Sequence, residues 1–360
     1  MSTAERLTVY TGTATDVGQH RDNNEDSLTV AGTLCVVADG MGGHEAGEIA
    51  SRLCTRTMAY SQMFTRPGGM TEEEETEFQQ ALEAEIQQNT EEPQTNRRLR
   101  RRKDTSVLNQ QILKTIENIK GVISEADEAI KNTLGLRAGT TVTGAWLTHI
   151  GEQQMWFIFN VGDSRTYRLL RSEDVETEEA LSISNGPIEG LRLEQVTVDH
   201  SEVQYLVDTG QITALEALTH PRRNVITRAL GTGNYWEPDF WVIPAKPGDR
   251  LMMCSDGLSG ELSHNYMARV LATVEHPQDA ADVLQMAALR AGGRDNITVV
   301  VADAITESDA KVRAEELKEL THTDAHKIAA RIEEFDYEHT TDTEEEQFHP
   351  ERELHRGING

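Results

Sequence analysis

Residues 35–47 read CVVADGMGGHEAG, and the fold depends on how this stretch is interpreted. Its first four residues are apolar and lead to the carboxylate of Asp39, while residues 40–47 include four glycines. The pattern predicts a buried strand that ends on an acid, followed by a turn with few side chains. One such ending is a common turn signal. Its meaning therefore depends on whether other segments end in the same way.

Four further apolar segments carry an acid at one tip. The stretches are RDNNEDS with Glu25 and Asp26, FNVGDSR with Asp163, LMMCSDG with Asp256, and GGRDNITVVV with Asp295. If these tips lie at one end of a layered fold, their carboxylates converge. Carboxylates that converge in partly desolvated surroundings repel each other unless they are protonated or neutralised by cations.

A cluster of this kind is typical of a site for divalent cations. Oxygen ligands without histidine or thiolate favour Mg²⁺ or Mn²⁺ over zinc. Gly40 is expected to let the backbone turn its carbonyl toward the ion. Two cations about 4 Å apart can hold a bridging hydroxide for in-line attack on phosphorus. Arg21, four residues before Glu25, could clamp a phosphate beside them, although an arginine near acids is more often a surface ion pair.

Bulk composition narrows the function classes. The 360 residues carry a formal net charge of −27, which argues against a general binder of nucleic acids or anionic membranes. An acidic surface that favours solubility and a field that attracts cations both explain this charge. Cys35, Cys54 and Cys254 are predicted to be reduced, buried thiols of a cytoplasmic protein. No secretion signal is recognisable, and no apolar run approaches the roughly 18 residues of a membrane span.

Periodicity predicts layered antiparallel sheets with helices outside them. Strands are expected at 7–15 and in a hairpin that ends at Asp39, followed by an amphipathic helix from Ala46 to about Phe64. Two more strands, AGTTVTGAWLTHI and QMWFIFNVGDSRTYRLL, are joined by a short turn. Helices at 264–274 and 277–291 precede a last strand, NITVVVADAI. This order favours an α+β or sandwich arrangement over a doubly wound parallel sheet.

Two segments differ in composition from the rest. Residues 65–107 are predicted to be a charged, partly helical and mobile insertion. Its basic residues 97–103 suit a docking patch, a kinase recognition site for Thr105 or Ser106, or a solvated loop that offsets nearby glutamates, and the loop is the simplest expectation. Residues 304–360 are predicted to be an acidic C-terminal extension, partly helical and then disordered, that binds a partner or shields the site.

Eight stretches, in this order, resemble the metal-dependent protein Ser/Thr phosphatases of the PP2C (PPM) type in their bacterial form. They are RDNNEDS, VVADGMGGHEAGEIAS, AGTTVTGAWL, NVGDSRTYR, VTVDHSEVQYLVDTGQIT, HPRRNVITRALG, CSDGLSGEL and GGRDNITVVVAD. The resemblance implies an α+β fold of four layers, α-β-β-α, in which two packed antiparallel sheets are flanked by helix pairs. It assigns residues 1–303 to the phosphatase domain and 200–233 to a flap beside the site.

The resemblance also implies a role for each acid. Asp39 would bridge two Mn²⁺ or Mg²⁺ ions, and the third, weaker ion would be shared by two acids. The implied ligand set is Gly40 through its carbonyl and Glu25 through water for one ion, Asp256 and Asp295 for the other, and Asp163 with Asp256 for the third. Arg21 would bind the phosphate, and Asp26 would support the ligands from behind.

The implied activity is direct hydrolysis of phosphoserine and phosphothreonine by an activated water, without a phosphoenzyme. The implied partners are phosphorylated protein substrates and a cognate bacterial Ser/Thr kinase or its targets. Two alternatives stay open: a weak or inactive scaffold that binds phosphoproteins, and a phosphatase of a non-protein phosphoester. None of the core acids expected of an active member is missing.

Three positions bear on how far the resemblance extends. Met41 stands where many eukaryotic members carry a histidine proposed as the general acid, and methionine cannot donate a proton. His44 does not occupy that position and is expected to be structural. Gly260 stands where some members have another acid for the third metal, which predicts weaker binding of that ion.

Overall fold

The computed structural model describes residues 5–42, 46–65, 97–171 and 191–319. It comprises two compact units, Met1–Lys311 and Val312–Gly360. The strands are β1 (Leu7–Asp16), β2 (Asp26–Ala31), β3 (Leu34–Gly42), β4 (Ala138–Thr140), β5 (Val142–Ile150), β6 (Gln153–Val161), β7 (Arg165–Arg171), β8 (Leu191–Gln195), β9 (Asp239–Pro244), β10 (Arg250–Cys254) and β11 (Ile297–Thr306). The helices are α1 (Ala46–Tyr60), α2 (Gln62–Thr65), α3 (Arg97–Leu134), α4 (Glu202–Asp208), α5 (Ala214–Thr219), α6 (Asp256–Ser259), α7 (His264–Thr273), α8 (Pro277–Ala291) and α9 (Glu307–Glu319).

The strands form two sheets. The first sheet has the order β1-β11-β10-β7-β8, and the second has the order β2-β3-β5-β6-β9, with β4 paired to β3. Every strand pairing within the described residues is antiparallel. The predicted α+β class with two antiparallel sheets is confirmed.

Strand β3 shows why the chain forms layers. Val36 belongs to a core between the second sheet and the helices, whereas Cys35 and Val37 belong to a core between the two sheets. Successive side chains of a strand point to opposite faces. A strand covered on both faces therefore needs a continuous apolar run, which is what the stretch before Asp39 supplies.

Helices cover the outer face of each sheet. Helices α1 and α3 pack on the second sheet through a cluster that includes Met58, Ile123 and Trp146. Helix α8 packs on β1 and β11, and α7 packs on β8. The order of layers is thus helix, sheet, sheet, helix, as the resemblance implied.

The structure divides one predicted strand into two. The stretch QMWFIFNVGDSRTYRLL is β6 in the second sheet and β7 in the first, and the chain crosses between the sheets at residues 162–164. Because the residues on both sides of the crossing are mainly apolar, the sequence pattern did not reveal the change of sheet. Strand β9 was also missed, and the helix predicted to reach Phe64 is interrupted at Ser61.

The basic residues 97–103 were expected in a solvated loop, and that expectation is wrong. They are the first turns of α3, which continues without a break to Leu134. Lysine and arginine are good helix formers, so charge alone does not distinguish a loop from an exposed helix. The rest of the predicted insertion, residues 66–96, lies outside the described residues.

Two further expectations concern burial and the chain's end. Cys35, Cys54 and Cys254 are free and buried, and burial raises the pKa of each thiol to about 12.

Strand β11 continues to Thr306 and therefore includes the predicted domain boundary at Asp303. No helix in the described ranges is both long and apolar enough to cross a bilayer.

Candidate metal and phosphate site

The pairing of β2 with β3 brings two of the sequence motifs together. In its register Asp26 lies opposite Asp39, although 13 positions separate them in the chain. The Gly40 amide donates a hydrogen bond to the Glu25 carbonyl at 3.1 Å. The hairpin therefore places Glu25, Asp26, Asp39 and Gly40 at one end of the second sheet.

The structure shows a steric reason for glycine at position 40, in addition to the predicted orientation of its carbonyl. A Cβ at this position would collide with the backbone carbonyls of Glu25 and Gly47. Its backbone is extended within β3, and no left-handed conformation is involved. The missing side chain allows α1 to begin directly beside the hairpin, which is a close-packing requirement.

The ends of β10 and β11 meet this hairpin from the first sheet. Ser255 and Thr298 exchange backbone and side-chain hydrogen bonds, with Ser255 N to Thr298 O at 3.0 Å and Thr298 N to Ser255 Oγ at 3.0 Å. The same Ser255 hydroxyl donates to Asp26 Oδ2 at 2.7 Å. Asp256 follows as the first residue of α6, so the two sheets are joined beside two of the predicted acids.

Asn296, next to Asp295, connects three segments. Its Oδ1 accepts the Glu25 amide at 2.8 Å, and its Nδ2 donates to the carbonyls of Val17 and Asn23 at 2.9 Å each. Sequence reasoning quoted this residue within GGRDNITVVV without giving it a role. The signal that could have found it is a buried amide beside a predicted ligand, since buried polar side chains are usually fully hydrogen-bonded.

Two buried hydroxyls join Asp39 to the crossing between the sheets. Thr141 Oγ1 accepts the Asp39 amide at 3.0 Å and lies 2.7 Å from Ser164 Oγ, while the Thr141 amide donates to Asp39 O at 2.8 Å. Ser164 directly follows Asp163. The backbones that carry Asp39 and Asp163 are thus separated by only two side chains, neither of which was singled out from sequence.

The acids at this end lie close together, with Asp26 buried and Asp39 and Asp163 half-buried, and their pKa values are raised. Burial raises the pKa of Asp26 to about 7, against hydrogen bonds from Ser255 and Thr298. Burial and then the charge of Asp256 raise the pKa of Asp163 to about 7. Burial, reinforced by the neighbouring carboxylates, raises the pKa of Asp39 well above its ordinary value. Each carboxylate lies close enough to the others to penalise their negative charge.

The rim of the cluster is less buried and partly neutralised. Burial and the charge of Asp295 raise the pKa of Asp256, while a hydrogen bond with Asp39 opposes the rise. Burial raises the pKa of Glu25, and the charge of Arg21 opposes it. Arg21 Nη2 forms an ion pair with Asp295 Oδ2 at 2.7 Å, with about half of the Arg21 side chain exposed.

The described residues do not hold three acidic, histidine or cysteine side chains already arranged as a complete metal-ligand set. Arg21 engages Asp295, and Ser255 engages Asp26. The donor set nevertheless fits a hard divalent cation, because it consists of carboxylate and carbonyl oxygens. In addition, Asp26 Oδ1 is buried and has no hydrogen-bond partner among the described residues.

The three positions that depart from part of the resembling family can now be placed. Met41 lies in β3 opposite Gly139 of β4, and His44 falls outside the described residues. The Gly260 amide donates to Asp256 O at 2.7 Å and supplies no side-chain oxygen.

The chain was then compared with known proteins. The family model described as Protein phosphatase 2C matches residues 18–291. The serine/threonine phosphatase stp of Listeria monocytogenes serotype 4b is 31% identical over 294 residues, covering 80% of this chain and 93% of that protein. The serine/threonine protein phosphatase PstP of Mycobacterium tuberculosis is 33% identical over 290 residues, covering 81% of this chain and 44% of PstP.

Solved structures agree with the sequence relatives. The Mycobacterium tuberculosis phosphatase PstP/Ppp superposes with a TM-score of 0.58 at 30% identity, covering 82% of this chain and 98% of that one. The catalytic domain of PstP in complex with two manganese ions gives a TM-score of 0.57 at 28% identity, covering 83% and 100%.

The two sheets, their helix layers and the acids at one end define a metal-dependent protein phosphatase. The chain belongs to the protein phosphatase 2C family. The predicted family and fold are therefore confirmed, and for the cofactor the manganese complex of the PstP domain supports Mn²⁺ or Mg²⁺ in this class of enzyme.

Proposed function

We propose that this protein hydrolyses phosphoserine and phosphothreonine in proteins through a centre of two Mn²⁺ or Mg²⁺ ions, and that it opposes a bacterial Ser/Thr kinase. One observation carries the proposal: Asp39 lies among Asp26, Asp163 and Asp256 at one end of the sandwich, where desolvation raises its pKa and the charges of all three raise it further. The named activities of the bacterial relatives support the same substrate class.

The charge balance of the site explains why it would bind cations. Arg21 and Arg165 are the cations whose charges oppose the acids, but Arg21 is paired with Asp295 and Arg165 with Asp199. The remaining buried carboxylates have no arginine of their own among these pairs. A buried charge without a partner is costly, so a bound divalent cation would relieve the repulsion.

In the proposed centre the carboxylates would have distinct roles. Asp39, which lies among Asp26, Asp163 and Asp256, is suited to bridge two ions, with Asp256 and Asp295 on one and the Gly40 carbonyl and Glu25, through water, on the other. Asp163 with Asp256 would hold a third, weaker ion. Asp26 would serve as support, since Ser255 already occupies one of its oxygens.

In the reaction, the chain's residues bind and orient the phosphoryl group. When bound, Mn²⁺ or Mg²⁺ would lower the pKa of a water and stabilise the negative charge on the phosphoryl oxygens. Arg21, half exposed and next to the acids, would exchange its pairing with Asp295 for a bidentate contact to phosphate. Met41 cannot donate a proton, so the leaving alkoxide would take its proton from water.

The domain division is part of the proposal. Residues 1–303 would form the phosphatase domain with a charged insertion at 65–107 and a flap at 200–233, and residues 304–360 would bind a partner or shield the site. Because β11 pairs Leu7 with Thr306, removal of everything after Asp303 would shorten a central strand. A truncation after Lys311 tests the extension without damaging β11: unchanged activity, stability and partner capture would leave it a passive extension.

The activity test uses a phosphothreonine peptide and p-nitrophenyl phosphate, each with Mn²⁺ or with EDTA. Wild type should hydrolyse both only with Mn²⁺, and Asp256→Asn should lose most of this activity. Asp279→Asn, in the first turn of helix α8 and outside both the flap and the proposed ligands, is the matched control and should behave as wild type. Turnover of neither substrate would favour a phosphoprotein-binding scaffold, and turnover of the small ester alone would favour a non-protein substrate.

A further inference from the structure

The turn at Gly162–Asp163, where the chain crosses between the sheets, is held by a residue 38 positions away. The Gly162 amide donates to His200 Nδ1 at 3.1 Å, and the His200 amide donates to Gly162 O at 2.9 Å. Asn160 Nδ2 donates to the same carbonyl at 3.0 Å. Both Asn160 and His200 are buried. Both the amide and the carbonyl of Gly162, which directly precedes Asp163, are therefore hydrogen-bonded.

Close packing at Gly162 leaves no room for a side chain in this turn. Gly162 has φ +107°, and a Cβ there would lie 2.5 Å from Thr141 Cγ2. The position needs glycine for both its conformation and its closeness to Thr141. Small changes in how His200 holds the Gly162 amide would therefore pass directly to Asp163.

The hydrogen bonds also fix which nitrogen of His200 carries the proton. Since Nδ1 accepts the Gly162 amide, the proton of the neutral ring is on Nε2, which lies 3.1 Å from Asp239 Oδ2. Arg228 Nη1 holds the other oxygen of Asp239 at 2.9 Å and lies 3.1 Å from Nε2. Burial lowers the pKa of His200, which agrees with a neutral ring.

We propose that His200, oriented by Asp239, is a positioning residue that aims the Asp163 carboxylate toward a divalent cation. The inference rests on the proposed function, because Asp163 is a metal ligand there. The arrangement matches the way that outer residues orient metal ligands: a ring nitrogen holds one group, and a carboxylate fixes the ring from behind. Here the ring acts through the Gly162 amide and does not touch the metal.

The test uses two variants of His200, each of which keeps a hydrogen-bonding group at only one of the two ring-nitrogen positions. In His200→Asn the side-chain oxygen can replace Nδ1 as acceptor for the Gly162 amide, whereas in His200→Gln the side chain reaches the position of Nε2 and leaves that amide without its acceptor. Mn²⁺ binding to the full-length chain is measured by calorimetry. His200→Gln should weaken the binding step that Asp163→Ala removes by about 10–100-fold. His200→Asn should stay close to wild type.

A purely structural histidine would give a different result. If His200 acts through Asp163, His200→Gln should cause no further loss of Mn²⁺ affinity in an Asp163→Ala background. His264→Asn is the control, since His264 Nε2 contacts the Leu193 carbonyl at 2.8 Å in the first sheet and the shorter asparagine does not reach the position of Nε2. That variant should lower thermal stability in EDTA without changing Mn²⁺ affinity.

The possible failures are distinguishable. If wild type binds Mn²⁺ but does not hydrolyse the phosphopeptide, the proposed function fails and the binding data still test His200. If wild type is active but His200→Gln binds Mn²⁺ normally, or if its effect adds in full to that of Asp163→Ala, the positioning role is wrong. Absence of Mn²⁺ binding by wild type overturns both.

Discussion

The two ends of the β10–β11 pair treat buried acids in opposite ways. At one end Arg250 pairs with Asp303 through two hydrogen bonds, Nε to Oδ1 at 2.7 Å and Nη2 to Oδ2 at 2.8 Å. At the other end, beyond Cys254, Asp256 and its acidic neighbours repel one another. The paired end is built for stability, while the unpaired end is unfavourable for the chain alone and favourable for a bound cation.

A second buried ion pair lies at the same end of the β10–β11 pair as Arg250 and Asp303. Arg168 Nη2 contacts Asp249 Oδ1 at 2.9 Å, and Trp156 Nε1 donates to Asp249 Oδ2 at 3.3 Å. Both acids at this end have an arginine partner. Asp249 and Asp303 thus differ from Asp26, Asp39, Asp163 and Asp256, for which no arginine ion pair is found among the described residues, whereas Asp295 is paired with the half-exposed Arg21.

The largest expected effect is on Asp39→Asn. Its proposed role between two ions predicts a loss of several kcal/mol of transition-state stabilisation, which corresponds to about 10³-fold in kcat. Without metal the same variant should be more stable than wild type, because it removes a carboxylate whose pKa burial raises. Kinetics with Mn²⁺ and thermal unfolding in EDTA check both effects. A loss of stability in EDTA together with normal kcat would reverse the assignment.

At the opposite end, Asp303→Asn should show the inverse pattern. It leaves Arg250 buried without its carboxylate, which should cost about 3–5 kcal/mol of unfolding free energy. At temperatures where the variant is folded, kcat should be unchanged. Urea unfolding and kinetics are the measurements. The double variant Arg250→Met with Asp303→Leu also removes the donor to the Leu271, Val274 and Glu275 carbonyls, so it should recover only part of the lost stability. Full recovery would show that these carbonyl contacts contribute little.

Metal binding should raise the unfolding free energy through the acids at the unpaired end and not through the Arg250–Asp303 pair. At a Mn²⁺ concentration about 100 times its Kd, the unfolding free energy should rise by about 2.7 kcal/mol. Asp39→Asn should abolish the shift, whereas Asp303→Asn should retain it from a lower starting point. Thermal unfolding with Mn²⁺ and with EDTA measures this difference. Equal shifts in the two variants would show that the ions bind elsewhere.

The smallest expected effect is the pH dependence of the metal-free protein. Asp26 and Asp163 have pKa values of about 7 in the folded state, above the ordinary carboxyl value near 4. Between these values the folded state binds more protons than the unfolded state, so stability should fall as pH rises from 5 to 7.5. The slope is at most about 1.4 kcal/mol per pH unit for each extra proton. Unfolding in EDTA across this range should show the fall, and a rise would contradict it.

The sequence predicted the acids at the unpaired end of the β10–β11 pair, but it did not predict the arginine–aspartate pairs at the other end. The acids at strand tips were found because each follows or precedes an apolar run and several adjoin glycine. The arginine pairs at the other end were missed, because Arg250 and Asp303 lie 53 positions apart and the motif that ends at Asp303 does not indicate its partner. The role of Asn296 was also missed, since three of its partners become neighbours only after the sheets pack.

The sequence by itself determined the class of fold, through alternating and continuous apolar runs, and determined which acids stand at strand ends. Only the tertiary structure decided which acids share a buried space, which have an arginine, and where the chain crosses between sheets. The physical reason is distance along the chain. Local patterns of apolar residues indicate which faces of a strand are buried. Desolvation and charge repulsion at the site depend on contacts between distant segments, such as Ser255 with Asp26, which are 229 positions apart.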